Sequence, residues 1–143
     1  MPTIKTVYQG NLRTEATHLQ SGTAILTDAP TDNNGKGEAF SPTDLVASAL
    51  GSCMMTIMGI VAQRNDIDLQ NSEMQITKVM SAEAPRRIAR IEINCRMHTK
   101  SALSDDNKTK LIRAAHTCPV ALSLHPDIEQ AVGFEWLVGE AAN

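Results

Sequence analysis

The chain has 143 residues, of which 42% are hydrophobic and 20% charged, a net charge of −3, and only one Trp, one Tyr and two Phe. This composition is typical of a globular chain that forms one domain over residues 1–143, and it lacks the basic excess and aromatic platform of nucleic-acid-binding proteins. The first ten residues have no signal-peptide pattern, and the cysteine count is odd. We therefore expect a cytoplasmic protein, in which a disulfide would be catalytic or transient.

The chain opens with three short segments that are predicted to form an antiparallel meander of strands: Ile4–Tyr8, Leu12–Leu19 and Thr23–Thr27. Gly10 and the Ser21-Gly22 turn separate them. Residues 28–39 are rich in Pro, Asn, Asp and Gly and predict a loop. Loops of this length are often functional.

A helix is predicted to begin after Ser41, a plausible N-cap, with Pro42 at its first position and Asp44 near the positive end of its dipole. It should end at Gln63 or Arg64.

The run Leu45–Ala62 within this helix carries no charge, so it is long enough to raise the question of a membrane span. It has neither an aromatic belt nor flanking basic clusters, which favours a helix buried inside the protein, and we expect no membrane partner. Strands of the predicted length can cover such a helix on one side only. A dimer that closes over the other side would bury it completely.

The second half predicts strands at Ser72–Ala82 and Arg87–Thr99, joined by a turn at residues 83–86, and a final strand at Ala131–Val138. Between them, Ser104 caps a helix that Cys118-Pro119 interrupts, and residues 120–124 continue as a short further helix. The order βββ–α–ββ–αα–β shows no βαβ regularity. It predicts an α+β fold with antiparallel sheets wrapped around a central apolar helix.

The three cysteines lie in different settings. Cys95 falls on the apolar side of an alternating strand and is expected in the core. Cys118 stands at the start of a short helix, where the dipole favours a thiolate, so local physics makes it more acidic than Cys53. Cys53 has apolar helical neighbours, so it is either a small buried residue or a thiol activated by a cation from elsewhere. Arg13 is the nearest candidate for that cation.

Two segments resemble motifs of one known family. Residues 41–53, which run from Ser41-Pro42 through Asp44-Leu45 and small residues to Cys53, resemble the first cysteine motif of the OsmC/Ohr family, named for osmotically inducible protein C and organic hydroperoxide resistance protein. Residues 115–121, with Cys118-Pro119 followed by an apolar and a small residue, resemble its second motif. The turn at residues 83–86 and the order of elements also fit.

The resemblance implies an intertwined homodimer that reduces organic hydroperoxides, with its sites at the dimer interface and without a cofactor or metal. It implies that Cys53 is the peroxidatic cysteine, which becomes a sulfenic acid, and that Cys118 resolves it to a disulfide. A dithiol reductant, lipoyl-type in the better-known members, would restore the thiols by exchange.

The sequence departs from the family pattern beside the motif proline. The hydroperoxide-resistance branch has a Glu there that pairs with the activating Arg, whereas this chain has Thr43 and places its acid one residue later, at Asp44. One helical residue is a rotation of about 100°. The chain therefore resembles a less-characterised branch, with Arg13 and Asp44 as the matching candidates.

The residues are also compatible with other functions. His116, Cys118 and His125 are close enough in sequence to suggest a metal site, although their spacing is not a standard ligand pattern. A hydrolase could pair Cys53 or Cys118 with a histidine. A non-enzymatic dimer could bind an apolar ligand in an interface pocket lined by Met54, Met55 and Met58.

Overall fold

A computed structural model describes residues 1–139 of the chain. Its six strands are β1 (Ile4–Gly10), β2 (Arg13–His18), β3 (Ala24–Asp28), β4 (Glu73–Met80), β5 (Ile88–Thr99) and β6 (Glu129–Val138). Its helices are α1 (Pro42–Arg64), α2 (Asp105–His116) and α3 (Pro119–Ser123), with a short 3-10 turn at Thr31–Asn33. The predicted order βββ–α–ββ–αα–β is confirmed. The chain divides into two compact units, Met1–Val46 and Ala47–Asn143.

The first unit contains the predicted antiparallel meander, with strand order β1-β2-β3. Arg13 on β2 lies directly opposite Asp28 on β3, because the register places the start of one strand against the end of the other. The β1–β2 turn uses Asn11 and Leu12 with positive φ angles of 53° and 62°. This conformation is uncommon for leucine, whose Cβ crowds the following carbonyl oxygen.

The second sheet has the order β4-β5-β6. The β4–β5 pair is antiparallel, as expected, but β6 pairs with β5 in parallel, so the prediction of purely antiparallel sheets is wrong. The physical reason is the connection through α2 and α3, which spans residues 100–128. A crossover of this length returns the chain to the same end of the sheet. The sequence pattern identified both strands and both helices, but alternation within a strand carries no information about its partner's direction.

Helix α1 begins with a capping box. The Ser41 N–H donates to Oδ2 of Asp44 at 3.0 Å, and the Asp44 N–H donates to Oγ of Ser41 at 3.0 Å. This reciprocal pair satisfies backbone donors at the start of the helix that would otherwise be left without partners. The helix therefore begins where the sequence predicts.

In the second unit, one face of α1 is fully buried through Leu50, Met54 and Met58. Gly51 allows a close approach to the sheet, because a Cβ there would overlap Cδ1 of Ile76 on β4. Within residues 1–139, α1 is one helix that is long and apolar enough to cross a membrane, with a mean hydropathy of 2.0. One such helix is also what a soluble protein's core helix looks like, and burial of this face agrees with the prediction.

Helices α2 and α3 are joined where the sequence predicts a break. Ser104 caps α2 by accepting a hydrogen bond from the Asn107 N–H at 3.1 Å, and α2 buries Leu111, Ala114 and Ala115. Pro119 then begins α3, with Cys118 as its N-cap. The side chain of Gln130 on β6 donates to the backbone oxygen of Ala121 at 3.0 Å, which ties α3 to the sheet.

Candidate functional site

The two cysteines predicted to act together lie side by side in the second unit. Cys53 is on α1 and is partly exposed, whereas Cys118 caps α3 and is 0% exposed. The two thiols are close enough for Cys53 to raise the pKa of Cys118. All three cysteines of the chain are free thiols. Residues that are 65 positions apart in sequence thus form one dithiol pair, with an accessible member and a shielded member.

Burial has a larger effect on Cys118 than its helix position. It raises the pKa of the thiol, and the neighbouring Cys53 raises it further. The backbone N–H groups of Ala121 and Val120 act in the opposite direction without overcoming burial, although the Ala121 N–H reaches Sγ at 3.4 Å. The α3 N-terminus therefore does not lower the pKa of Cys118 overall, and the ranking of Cys118 as more acidic than Cys53 stays a prediction. Removing a thiolate from water costs more free energy than hydrogen bonds from two backbone N–H groups contribute.

Cys95 is a core residue, as predicted. It is 1% exposed on β5, opposite Met74 of β4. Burial raises the pKa of its thiol to about 11. A thiol with this pKa is almost entirely protonated at neutral pH and is a poor nucleophile.

Arg13 is held in the first unit by two carboxylates. Its Nε donates to Oδ1 of Asp28 at 2.7 Å and its Nη2 donates to Oδ2 at 2.7 Å, which is a bidentate pair. Nη2 also donates to Oε2 of Glu38 at 3.0 Å. The pair raises the pKa of Arg13 and lowers that of Asp28, in both cases mainly through the hydrogen bonds between them.

Asp28 and Glu38 were not predicted from the sequence. Asp28 follows the predicted strand Thr23–Thr27 and falls in the predicted loop of residues 28–39, where an acid is normally solvated. One signal was present, because the meander register that pairs Thr14 with Thr27 also pairs Arg13 with Asp28. Cross-strand neighbours of opposite charge interact directly.

The peptide before Arg13 is fixed at both ends. The Leu12 N–H donates to Oη of Tyr8 at 3.2 Å, and the Leu12 carbonyl oxygen accepts from the Ala29 N–H at 3.1 Å. Both polar backbone groups of a residue in the left-handed region are therefore satisfied. These bonds hold the turn that presents Arg13.

Asp44, the other candidate acid, serves the start of α1 through its capping box with Ser41. Thr43, at the position where the resemblance expects a Glu, has its hydroxyl 3.2 Å from Oγ of Ser41. These contacts explain why both residues stand at the beginning of a helix. A part for Asp44 in chemistry stays a prediction.

His116 and His125, which the sequence suggests as metal ligands, contact other side-chain and backbone groups. The ring of His116 meets that of Phe134 edge-on, with centroids 6.4 Å apart, and Nδ1 of His125 accepts from the Asp127 N–H at 3.0 Å. Among residues 1–139, no group of three or more His, Cys, Asp or Glu side chains could hold a metal ion.

The methionines expected to line a ligand pocket lie mainly in the core. Met54 and Met58 are 0% exposed, and Met55 is intermediate. Fully buried, flexible side chains at this spacing fill gaps between packed elements.

The match to the family of OsmC-like proteins spans residues 35–132. A comparison with curated proteins gave no match. Among solved structures, a candidate osmotic stress induced and detoxification response protein of Psychrobacter arcticus 273-4 is 50% identical, over 94% of this chain and 96% of its own, with a TM-score of 0.86.

Two more distant structures share the fold. An organic hydroperoxide resistance protein OsmC of Legionella pneumophila is 17% identical over 94% of this chain and 97% of its own, with a TM-score of 0.67. The organic hydroperoxide resistance protein OhrB of Bacillus subtilis is 17% identical over 94% of this chain and 98% of its own, with a TM-score of 0.61. The predicted α+β fold is thus confirmed, and the family match, which covers more than half of the chain, shows that this protein belongs to the family of OsmC-like proteins.

Proposed function

We propose that this protein is a thiol-dependent peroxidase that reduces organic hydroperoxides, with Cys53 as the attacking thiol and Cys118 as the resolving thiol. The observation that carries this proposal is the proximity of the two thiols, one accessible and one fully buried, through which Cys53 raises the pKa of Cys118. A redox role also agrees with family membership and with the names of the two hydroperoxide resistance proteins that share the fold.

The proposed first step is attack of the Cys53 thiolate on the outer oxygen of the hydroperoxide. The O–O bond breaks, an alkoxide leaves and takes a proton from water to become an alcohol, and Cys53 becomes a sulfenic acid. Two electrons pass from sulfur to the peroxide. This step needs an exposed thiol, and Cys53 is the partly exposed member of the pair.

The proposed second step joins the two sulfurs. Cys118 attacks the sulfenic sulfur, and the hydroxyl group leaves as water with the proton of the Cys118 thiol. Burial raises the pKa of that thiol, so Cys118 gives up its proton to the departing hydroxyl group as the S–S bond forms. An external dithiol of the lipoyl type then reduces the disulfide by exchange. The dithiol is itself oxidised to a disulfide.

The proposal assigns activation of Cys53 to Arg13. A thiolate forms readily only beside a positive charge or strong donors. Arg13 is a permanent cation, and its carboxylate partners fix its guanidinium in the first unit.

The proposal also includes a homodimer. Strands β1 and β3 of the first sheet carry exposed apolar side chains, namely Ile4, Val7 and Tyr8 on β1, and Ile25 and Leu26 on β3. Several exposed apolar residues on one sheet are typical of a surface that another protein covers. Light scattering should give twice the mass of the chain, and a monomer at micromolar concentration would contradict this part of the proposal.

The test of the activity is thiol loss and turnover with cumene hydroperoxide. One equivalent should remove two free thiols, Cys53→Ser should abolish turnover, and Cys118→Ser should trap Cys53 as a sulfenic acid. Cys95→Ala is the matched control, since it removes a buried thiol outside the pair and should leave thiol loss and turnover intact. Full turnover by Cys53→Ser would show that the mechanism is wrong.

The alternative is a dimer that binds an apolar ligand without catalysis. It would gain support if neither Cys53 nor Cys118 reacted with hydroperoxide faster than free cysteine does. The full burial of Met54 and Met58 argues against a pocket lined by these two residues, whereas Met55 is partly exposed.

A further inference from the structure

The two carboxylates that bind Arg13 differ in solvent exposure, in the number of hydrogen bonds to the guanidinium and in the length of those bonds. Asp28 has a side chain that is 0% exposed and makes two bonds of 2.7 Å to the guanidinium. Glu38 has a side chain that is 68% exposed and makes a single bond of 3.0 Å. A surface carboxylate exchanges readily with water, whereas a buried one cannot lose its partner without being left as an unpaired charge.

We infer that Asp28 is the residue that positions Arg13, that Glu38 is a second and exchangeable partner, and that together they replace the acid that the family pattern places after the motif proline. This inference rests on the proposed function in one respect, namely that Arg13 acts on Cys53. The assignment of Asp28 over Asp44 comes from the contacts within Met1–Val46 alone.

Asp28 is itself held from several sides. Its backbone N–H donates to the carbonyl oxygen of Phe40 at 3.1 Å, and its Oδ2 accepts from the Glu38 N–H at 3.1 Å. The carboxylate is therefore fixed by β3 and by the chain that leads into α1. A fixed carboxylate that makes two parallel hydrogen bonds determines both the place and the plane of a guanidinium.

The backbone of Arg13 is fixed by a separate set of bonds. Leu12, in the left-handed region, is clamped by Oη of Tyr8 and by the Ala29 N–H. Ala29 directly follows Asp28. The same stretch of chain therefore holds the guanidinium of Arg13, through Asp28, and the peptide that precedes Arg13, through the Ala29 N–H. Such a side chain loses little freedom when it acts, which is the property that a preorganised catalytic cation requires.

Asp44 is engaged differently. Its Oδ2 accepts from the Ser41 N–H, which keeps it at the start of α1. The departure from the family pattern at Thr43 is thus accompanied by a buried acid elsewhere, on β3. Asp28 is a positioning residue in this assignment, because it acts through Arg13 and not on the reacting atoms.

The test compares Asp28→Asn with Arg13→Gln, using the pH dependence of Cys53 alkylation by iodoacetamide in the Cys95→Ala, Cys118→Ser protein. Both variants should slow alkylation below neutral pH by roughly tenfold, which corresponds to moving the thiolate profile by one pH unit. Glu38→Gln should have a clearly smaller effect. Glu73→Gln, which removes an exposed carboxylate from a surface pair with Arg96, is the matched control and should leave the profile unchanged.

The double variant Arg13→Gln, Asp28→Asn distinguishes positioning of Arg13 by Asp28 from a non-specific disturbance of the structure. If Asp28 acts through Arg13, Asp28→Asn should add no further loss once Arg13 is gone. If Asp28→Asn does not fold, Asp28→Glu replaces it, since this variant keeps the charge and displaces the carboxylate by one methylene. Additive losses in the double variant would overturn the inference.

The outcomes for the inference and for the proposed function are distinguishable. If Arg13→Gln slows Cys53 alkylation while Asp28→Asn leaves its pH profile unchanged, the assignment of Asp28 is overturned. The peroxidase proposal is unaffected by that result. Failure of the unaltered protein to reduce any organic hydroperoxide, with the alkylation profiles as expected, removes the peroxidase proposal and supports the positioning of Arg13. Equal profiles for Arg13→Gln and the unaltered protein overturn the inference.

Discussion

The thiol of Cys118 is fully buried and lies next to Cys53, a thiol on α1 that solvent reaches. The contact joins a long apolar helix to the cap of a five-residue helix. This difference in exposure between two adjacent sulfurs suits a reaction in which one thiol meets an external oxidant and the other meets only its neighbour.

The order of alkylation in the unaltered protein is the first prediction. Iodoacetamide at neutral pH should modify Cys53 first, because Cys118 and Cys95 are buried and burial raises the pKa of both thiols. Mass spectrometry of the digested protein over time gives the order. After unfolding in urea, all three cysteines should react at similar rates. Modification of Cys118 before Cys53 in the folded protein would contradict the assignment of roles.

The cap of α3 gives a stability prediction. Cys118→Ala should lower the free energy of unfolding by about 1 kcal/mol relative to Cys118→Ser, because serine can accept the Ala121 N–H that Sγ now accepts and alanine cannot. Urea unfolding of the two variants under reducing conditions measures the difference. Equal stability would show that the contact with sulfur contributes nothing to the helix start.

The two glycines of α1 should respond oppositely to the same change. Gly51→Leu should destabilise the protein by about 1–3 kcal/mol, because a side chain there overlaps Ile76. Gly59→Leu meets nothing within 4 Å and should stabilise the helix by up to about 1 kcal/mol, since leucine is the better helix former. Thermal unfolding compares them. A loss at Gly59 as large as that at Gly51 would contradict the prediction.

The Asp28 carboxylate predicts a loss of stability in acid. Arg13 lowers the pKa of Asp28 in the folded protein, so the unfolded chain takes up the proton first as the pH falls. The contribution is complete above the ordinary Asp pKa of about 3.9 and disappears as the pH falls through the lower folded value. Urea midpoints measured from neutral pH downward should fall less steeply for Asp28→Asn and Arg13→Gln, to a similar extent. An unchanged slope in both variants would contradict the prediction.

Much of the fold could be predicted because the periodicity and the caps are local. The alternation of β5, the start of α1 at Ser41-Pro42 and the break at Cys118-Pro119 all depend on neighbouring residues. The parallel pairing of β5 with β6 could not be predicted from the sequence. It depends on the end of the sheet at which the 29-residue crossover, residues 100–128, returns the chain. A strand's own pattern is the same for either direction of its partner.

The candidate site divides along the same line. The sequence by itself determined the element order, the membership of Cys95 in the core and, through two flanking motifs, the choice of Cys53 and Cys118 as a pair. Only the tertiary structure decided that Cys118 is the buried member, whose pKa is raised, and that Asp28 holds Arg13. Burial and ion pairing decide both points. They depend on residues distant in sequence, and the cost of removing a charge from water outweighs the local preferences that a sequence displays.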